Sequence, residues 1–163
     1  MSVRVGVGYD VHPFATDPDR PLVLGGVTIA GHRGLAGHSD ADAVTHAVCD
    51  ALLGAAGLPD LGTFYPATEG RWRDARSVDM LVDVVARIAA EGWHTGNIDI
   101  VVNAEVPKLA PHLDAMRAVL VAALRCDAVN VKAKRGEGLG AIGRGEGIAV
   151  HAVALLERVS GNS

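Results

Sequence analysis

Cysteine, long apolar runs and an excess of one charge are all scarce in this 163-residue sequence. The two cysteines, Cys49 and Cys126, are too few for the disulfide framework of a small secreted domain, so we expect buried or half-buried thiols. No apolar stretch approaches the ~20 residues of a membrane span. Because the N-terminus opens on a strand pattern instead of a signal or transit sequence, we expect a cytoplasmic protein.

The charge balance excludes a further set of functions. With 15 basic and 19 acidic residues the formal net charge is -4, which provides no positive field for nucleic acid. No run of like charges predicts an interaction tail. An apolar content of 49% is enough to build a core. These features predict one globular domain over residues 1–163, with an enzyme as the default function and neither nucleic acid nor a membrane as partner.

Hydrophobic periodicity alternates between strand and helix patterns, which predicts an α/β (α+β) domain with a mixed β-sheet covered on one face by about three helices. The clearest local signal is Gly25-Gly26, the turn of a hairpin. Ser39 is the predicted N-cap of the first helix, with Asp42 in the third position of a capping box. Strands are expected at residues 3–9, 22–24, 27–29, 98–102, 129–132 and 147–156, helices from Ser39, Val78 and Pro111, and loops at 58–76 and 136–145.

Asp10, His12 and His46 form the most informative set of polar residues. Residues i and i+2 of an extended segment point to the same side, so Asp10 and His12 can reach one ion while the first helix delivers His46. One carboxylate and two imidazoles leave a tetrahedral zinc with one open position, which is typical of a catalytic site. The same spacing also fits a hydrogen-bonded surface pair, with His46 as a satisfied polar residue of its helix.

Two carboxylates lie one helical turn to either side of His46. A metal-bound imidazole usually donates its second ring nitrogen to an acceptor, and Asp42 and Asp50 are the predicted acceptors. In a zinc hydrolase, either carboxylate could instead be the general base that activates water.

Two glycine-rich segments near the C-terminus match phosphate-binding motifs incompletely. Residues 138–143 fit the dinucleotide fingerprint Gly-x-Gly-x-x-Gly, but the following residues predict a strand where that motif requires a helix. Residues 143–147 lack the Lys-Ser or Lys-Thr of a phosphate loop. They form either a tight turn between strands or a backbone that can approach a phosphate or a neighbouring subunit, with Arg144 supplying charge.

Five short motifs are spaced along the whole chain. They are Asp10-Val11-His12, His38-Ser39-Asp40-Ala41-Asp42, Asp50-Ala51-Leu52-Leu53-Gly54-Ala55, Pro107-Lys108 and Gly143-Arg144-Gly145-Glu146-Gly147-Ile148-Ala149. Each motif alone is weak, whereas five in register are highly specific. In this order and spacing the sequence resembles the 2-C-methyl-D-erythritol 2,4-cyclodiphosphate synthase family, which implies a single cyclodiphosphate synthase domain over residues 1–163.

The resemblance implies a lyase of non-mevalonate isoprenoid (terpenoid) biosynthesis. In its reaction, the 2-phosphate of 4-diphosphocytidyl-2-C-methyl-D-erythritol 2-phosphate attacks the β-phosphorus, closes a cyclodiphosphate and releases CMP. Such phosphoryl transfer depends on positioning and charge neutralisation more than on a protein nucleophile. By resemblance, Asp10, His12 and His46 hold one zinc per subunit against the β-phosphate, and Glu137 holds a second divalent ion, Mg²⁺ or Mn²⁺.

The resemblance also implies the substrate contacts and the assembly. His38 and Ser39 would contact phosphate, Ser39 through the amides and dipole of a helix start, while Asp60 and Gly62 would hold hydroxyls. The family is a homotrimer with active sites between neighbours, and Arg144 and Glu146 line a central cavity that can take an isoprenoid diphosphate. The implied catalytic residues are Asp10, His12, His38, His46 and Glu137; the implied substrate contacts are Asp10, His12, His38, Ser39, Asp60, Gly62, Tyr65, Ala104, Pro107, Lys108, Leu109, Lys134, Arg135, Glu137, Ala141 and Arg144, of which Ala104, Pro107, Lys108 and Leu109 belong to a cytosine pocket of the adjacent subunit.

Three departures from the commoner family pattern keep other functions open. Ala67 replaces an aspartate that contacts a hydroxyl, and Ala141 replaces a bulky residue near the central cavity. Lys134-Arg135-Gly136 replaces threonines that face the nucleotide phosphates; cationic side chains can neutralise phosphate but cannot supply the same hydroxyl bonds. The alternatives are a zinc-dependent hydrolase and a noncatalytic trimeric protein that binds isoprenoid diphosphate.

Overall fold

A four-stranded mixed sheet forms the centre of the computed structural model, which describes residues 2–158. Its strands are β1 (Ser2–Pro13), β4 (His94–Asn103), β5 (Val129–Lys134) and β6 (Gly147–Arg158), in the order β1-β6-β4-β5. Strand β6 is antiparallel to both β1 and β4, whereas β4 and β5 are parallel. The predicted hairpin is present as a separate ribbon of β2 (Leu22–Leu24) and β3 (Val27–Ile29).

Three helices of 12 to 14 residues cover one face of this sheet: α1 (Ala43–Ala56), α3 (Ser77–Ala90) and α4 (Leu113–Leu124). The predicted α+β layering is therefore confirmed for the described residues. The core lies between the layers, where Ile98, Ile100 and Val102 of β4 are fully buried with the even-numbered residues 148–156 of β6. In the described part of the chain, no helix has both the length and the apolar character that crossing a bilayer requires.

Several boundaries differ from the sequence prediction. The segment predicted as a loop over residues 58–76 contains a short helix α2 (Leu61–Phe64) and a 3₁₀ turn at Gly70–Trp72. Pro111 lies in a 3₁₀ turn just before α4, and the glycine-rich loop contains a four-residue helix α5 (Gly140–Gly143) followed by β6. Both thiols are free, with Cys49 buried and Cys126 half-buried, as predicted.

The prediction that Ser39 caps the first helix is wrong. Helix α1 begins after Asp42. Ala41 adopts a left-handed φ of 55°, so the backbone between Ser39 and the helix is not helical. The Asp42 carboxylate accepts hydrogen bonds from the Thr45 amide at 3.0 Å and the Thr45 hydroxyl at 2.7 Å, and from the Gly25 and Gly26 amides at 2.8 and 2.7 Å. Asp42 therefore caps α1 and fixes the β2–β3 turn against it.

Strand β1 continues beyond the predicted end at residue 9 and pairs with β6 as far as Pro13. Its odd-numbered residues, Val3 to Val11, are exposed on the open face of the sheet, while Gly6 and Gly8 are buried under α1. Asp10 and His12 have the same parity as these glycines. The strand therefore directs both polar side chains toward α1.

Gly6 and Gly8 allow the backbones of β1 and α1 to touch. A Cβ atom on Gly8 would lie 1.8 Å from the Ala47 carbonyl oxygen, and one on Gly6 would lie 2.1 Å from the Ala51 carbonyl oxygen. Both obstacles are helix backbone, which cannot rotate away as a side chain can. No residue larger than glycine fits at either position without displacing α1.

We expect Gly8→Ala to lower the free energy of unfolding by at least ~3 kcal/mol, because its methyl group must push α1 from the sheet. The matched control is Gly54→Ala within α1, where an added Cβ meets nothing within 4 Å. That substitution should raise stability by ~0.5–1 kcal/mol through helix propensity. Urea unfolding followed by circular dichroism measures both, and equal stability of the two variants would contradict the proposed contact.

Candidate metal centre and neighbouring cavities

Asp10, His12 and His46 converge between β1 and the second turn of α1. The Asp10 Oδ2 atom lies 2.9 Å from His12 Nε2 and 3.2 Å from His46 Nδ1. One potential ligand atom from each residue lies within 4.8 Å of the others, so the three could hold a metal ion. The structure thus brings together the set that the sequence singled out, through the parity of β1 and the close approach of α1.

Hydrogen bonds on the far side of each ring orient the two imidazoles. His12 Nδ1 lies 2.6 Å from the Ala36 carbonyl oxygen, which can only accept, so Nδ1 carries the hydrogen and Nε2 faces Asp10 with a lone pair. His46 Nε2 lies 2.8 Å from the Ser77 hydroxyl, which itself donates to the Asp40 carboxylate. The Ser77 hydroxyl therefore accepts from His46 Nε2, and Nδ1 is left as a lone pair.

Three electron-pair donors consequently face one another: a carboxylate oxygen and two imidazole nitrogens. Such a cluster is stable only with positive charge among its members, supplied by protons or by a cation. This donor set is the one that zinc binds in sites with an open coordination position. The residues present therefore fit a zinc ion.

The charges of the cluster members shift one another's pKa values. Burial disfavours ionisation of Asp10, but His12 and His46, when protonated on the nitrogens that face the carboxylate, outweigh burial through hydrogen bonds and charge and lower the pKa of Asp10 to about 2. Burial likewise disfavours the charged form of His12, but the Asp10 carboxylate outweighs it and raises the pKa of His12. The Asp10 carboxylate is thus an anion that attracts positive charge from two sides.

The predicted acceptors for His46 are wrong. Asp42 faces the β2–β3 turn and uses its carboxylate there, and Asp50 accepts the Leu61 amide at 2.8 Å. Burial raises the pKa of both carboxyls, but neither hydrogen-bonds to a member of the triad. Ser77 and Asp40 replace them, and the sequence offered no more than the position of Ser77 at a helix start.

A cavity of about 260 Å³ opens beside the triad. Seven of the implied substrate or metal contacts line it, together with Ala67 and three residues that sequence reasoning missed. The lining comprises Asp10, His12, His38, Ser39, His46, Gly62 and Tyr65, then Ala67, and the missed Leu61, Trp72 and Met80. Ser39 is 7% exposed and lies outside the start of α1, so the predicted contribution of helix amides at Ser39 is wrong.

A second cavity, of about 420 Å³, is formed by the segment after β4 and the end of β5. Its lining includes Ala104, Pro107, Lys108, Leu109, Lys134 and Arg135, six of the implied nucleotide contacts. Arg135 Nε donates to Glu105 Oε1 at 3.1 Å, and the Gly136 amide donates to Glu105 Oε2 at 3.1 Å. In a single chain, these residues and the triad line different cavities.

Four implied contacts line neither of these two cavities. Asp60 caps α2 and accepts the Thr63 amide at 2.9 Å, while Ala141 lies exposed on α5. Arg144 forms a 2.6 Å ion pair with Glu146. Glu137 is exposed with a φ of 52°, and no group of three or more metal-ligating side chains in the described chain includes it.

The YgbB family model matches residues 3–157 of the chain. A protein of Bordetella petrii named 2-C-methyl-D-erythritol 2,4-cyclodiphosphate synthase is 54% identical over 159 residues, covering 96% of this chain and 97% of that protein. A "Bifunctional enzyme IspD/IspF" of Anaeromyxobacter dehalogenans is 52% identical over 98% of this chain but only 41% of its own length. The chain thus spans about two fifths of the bifunctional relatives that it matches.

Among solved structures, the "IspF (Plasmodium falciparum) CDP complex" is 33% identical and superposes with a TM-score of 0.85, covering 98% of each chain. The likeness therefore extends to the whole described fold as well as to the motifs. With a family model over residues 3–157 and relatives more than half identical across nearly the whole chain, this protein belongs to the YgbB family.

Proposed function

We propose that this chain converts 4-diphosphocytidyl-2-C-methyl-D-erythritol 2-phosphate to 2-C-methyl-D-erythritol 2,4-cyclodiphosphate and CMP, as the domain of residues 1–163. The observation that carries the proposal is the Asp10–His12–His46 cluster, whose three residues line a cavity in a chain 54% identical to a protein named for this reaction. The chemistry is an intramolecular phosphoryl transfer. Its demands are positioning and charge neutralisation, which this cavity can supply.

In the proposed reaction, a 2-phosphate oxygen forms a bond to the β-phosphorus while the bond from that phosphorus to the α,β-bridging oxygen breaks. The bridging oxygen and its electron pair leave with CMP, so no water or protein nucleophile is consumed. A zinc ion bound by the triad would supply Lewis-acid polarisation of the β-phosphate. The Ala36 carbonyl and the Ser77–Asp40 pair would keep the imidazoles oriented during the reaction.

Most of the remaining substrate contacts of the proposal divide between the two cavities. His38 and Ser39 beside the triad would hold phosphate, and Gly62 and Tyr65 would flank the polyol. Asp60, which caps α2 and lines neither cavity, would accept from a hydroxyl. Residues 104–109, Lys134 and Arg135 would bind the cytidine and its phosphates. The solved Plasmodium falciparum relative in complex with CDP supports a cytidine nucleotide as this ligand.

Glu137 is proposed to hold the second divalent ion, Mg²⁺ or Mn²⁺. It is a single exposed carboxylate, which suits Mg²⁺ because this ion keeps several waters and binds through one or two carboxylates plus substrate phosphates. The proposal requires the substrate to complete the site.

A homotrimer is proposed as the functional assembly. The open face of the sheet carries a row of apolar side chains. Along β1, from Val3 to Val11, these side chains are 47 to 67% exposed, and the row continues with Val153 of β6. Contiguous exposed apolar rows of this kind are typical of protein interfaces. Placement of the triad and the nucleotide residues in different cavities supports a site completed by a neighbouring chain. The Arg144–Glu146 pair beside Ala141 would then face a central cavity, with an isoprenoid diphosphate as its proposed ligand.

We expect the purified chain to release CMP from the diphosphocytidyl substrate only when divalent metal is present. Phosphorus NMR of the products separates the candidate functions. A cyclodiphosphate supports the synthase, whereas a linear bisphosphate, formed by attack of water, would indicate the zinc hydrolase. A folded, zinc-loaded chain that releases no CMP would leave the noncatalytic isoprenoid-diphosphate binder.

We expect His46→Ala to lower CMP release by at least ~100-fold and to lower bound zinc, because Asp10 and His12 alone make a poor site. His94→Ala is the matched control, since His94 is exposed at the start of β4 and lies outside the triad. Zinc content is measured on purified, folded protein by atomic emission. Equal zinc in both variants would refute the ligand assignment.

We expect Val7→Glu to shift the protein from trimer to monomer in sedimentation velocity and to abolish CMP release. Val7 is 67% exposed in the chain, so the substitution places three charges in the proposed interface without disturbing the core. Val82→Glu, at a position 49% exposed on α3, should leave both assembly and activity unchanged. A Val7→Glu protein that sediments like the unmodified chain would rule out this surface.

A further inference from the structure

The segment of residues 35–39 carries three groups of the metal centre, although it belongs to no helix and forms only an isolated β-bridge. The Ala36 carbonyl oxygen lies 2.6 Å from His12 Nδ1 and orients that imidazole. The side chains of His38 and Ser39 line the cavity beside the triad. Since the segment has no ladder of hydrogen bonds of its own, contacts with other parts of the chain must hold its backbone in place.

Arg20 joins the two ends of this segment. Its Nε atom donates to the Leu35 carbonyl at 2.5 Å, and its Nη2 atom donates to the Ser39 carbonyl. Residues 36–38 lie between these two carbonyls. A guanidinium holds its N–H groups in one rigid plane, so Arg20 binds both carbonyls and also fixes their relative position.

The contacts of Arg20 limit it to an indirect action on the metal centre. Among residues 2–158, no acidic side chain forms an ion pair with its guanidinium. Arg20 lines a separate cavity of about 270 Å³ with Ser39 and Asp40, and it is absent from the lining of the metal-centre cavity. Its own backbone is held because the Gly34 amide donates to the Arg20 carbonyl at 3.0 Å. Arg20 therefore reaches the triad only through the segment that it holds.

We infer that Arg20 is a positioning residue of the metal centre. By fixing the two carbonyls it sets where the Ala36 carbonyl meets His12, and thus the direction in which His12 Nε2 faces the other ligands. The same bonds set where His38 and Ser39 border the cavity. The effect on metal affinity requires only the triad, whereas the effect on substrate rests on the proposed function.

The first test replaces Arg20 by lysine, which keeps the charge but cannot hold both carbonyls at once. We expect Arg20→Lys to weaken zinc binding about three- to tenfold, less than the ~10–100-fold that loss of a direct partner of a metal ligand costs. Arg117→Lys is the matched control, because Arg117 Nε and Nη2 donate in the same way to the carbonyls of Val129 and Asp127, at 2.8 and 2.9 Å. Competition with a chromophoric chelator measures the zinc dissociation constant of each folded variant.

Both variants lose a forked contact with backbone carbonyls, so both should unfold at slightly lower temperatures. Only Arg20→Lys should bind zinc more weakly. Unchanged zinc affinity in Arg20→Lys would overturn the inference, because Arg20 would then act through its charge or support the fold alone. Equal weakening in both variants would also overturn it, since that outcome indicates a general loss of stability.

A second measurement depends on neither zinc nor turnover, because His12 Nδ1 carries its hydrogen whether or not the triad holds an ion. We expect this hydrogen to exchange with water about three- to tenfold faster in Arg20→Lys, since a less firmly held segment opens more often. Arg117→Lys should show the exchange rate of the unmodified chain. Proton NMR of the full chain labelled with ¹⁵N-histidine measures these rates. Unchanged exchange in Arg20→Lys would overturn the inference even if the triad bound no zinc.

A third measurement addresses the cavity. At saturating zinc, Arg20→Lys should raise KM for the diphosphocytidyl substrate about three- to tenfold, because His38 and Ser39 lose their set positions. Inhibition by CMP should be unchanged, because the nucleotide would occupy the cavity of residues 104–109. An unchanged KM would overturn the role of Arg20 at the cavity. No CMP release by the unmodified chain would contradict the proposed function, whereas the zinc and exchange measurements would still decide the role of Arg20 at the metal centre.

Discussion

The contact between the β1 backbone and the α1 backbone is the constraint on which the rest of the molecule depends. Gly6 and Gly8 remove the side chains that would separate the two elements. The same approach buries the small residues Ala47, Ala51 and Ala55 of α1 and brings His46 within hydrogen-bond distance of Asp10. Core packing and metal-site geometry therefore have one cause, and neither can be altered without the other.

A second layer of interactions joins the metal centre to elements remote in sequence. The Asp40 carboxylate accepts hydrogen bonds from the Ser77 hydroxyl and, at 2.9 Å, from the Ser77 amide. Asp40 therefore holds the start of α3 beside His46. The Asp50 carboxylate accepts a hydrogen bond from the Leu61 amide and holds the start of α2 in the same way. Both segments that border the cavity are thus anchored by aspartates that precede or follow His46 in the chain. The cavity wall is built outward from the metal ligands.

The sequence predicted the sheet, the hairpin, the three longer helices and the triad, because each depends on local periodicity or on residue type. The sequence-based predictions were wrong where a tertiary contact determines the local structure. Ser39 looked like a helix cap, but the left-handed Ala41 moved that role to Asp42, whose carboxylate also binds the distant turn at Gly25. Ser77 became the partner of His46 although 31 residues separate them, and nothing in the local pattern indicates such a contact. Trp72 was overlooked for the same reason.

Because the two faces of β1 differ, a shift in the pairing register of this strand would have specific consequences. Alternate residues point to opposite sides, so a slip of one position against β6 would turn Asp10 and His12 to the open face and Val7 and Tyr9 toward the helix. The valine side chain would meet the α1 backbone at the place where even a methyl group does not fit. A mispaired strand would thus lose metal affinity and helix packing in the same event. Gly6 and Gly8 thus make the packing of α1 depend on the correct register of β1. A chain in which α1 packs closely against β1 also has its metal ligands aligned.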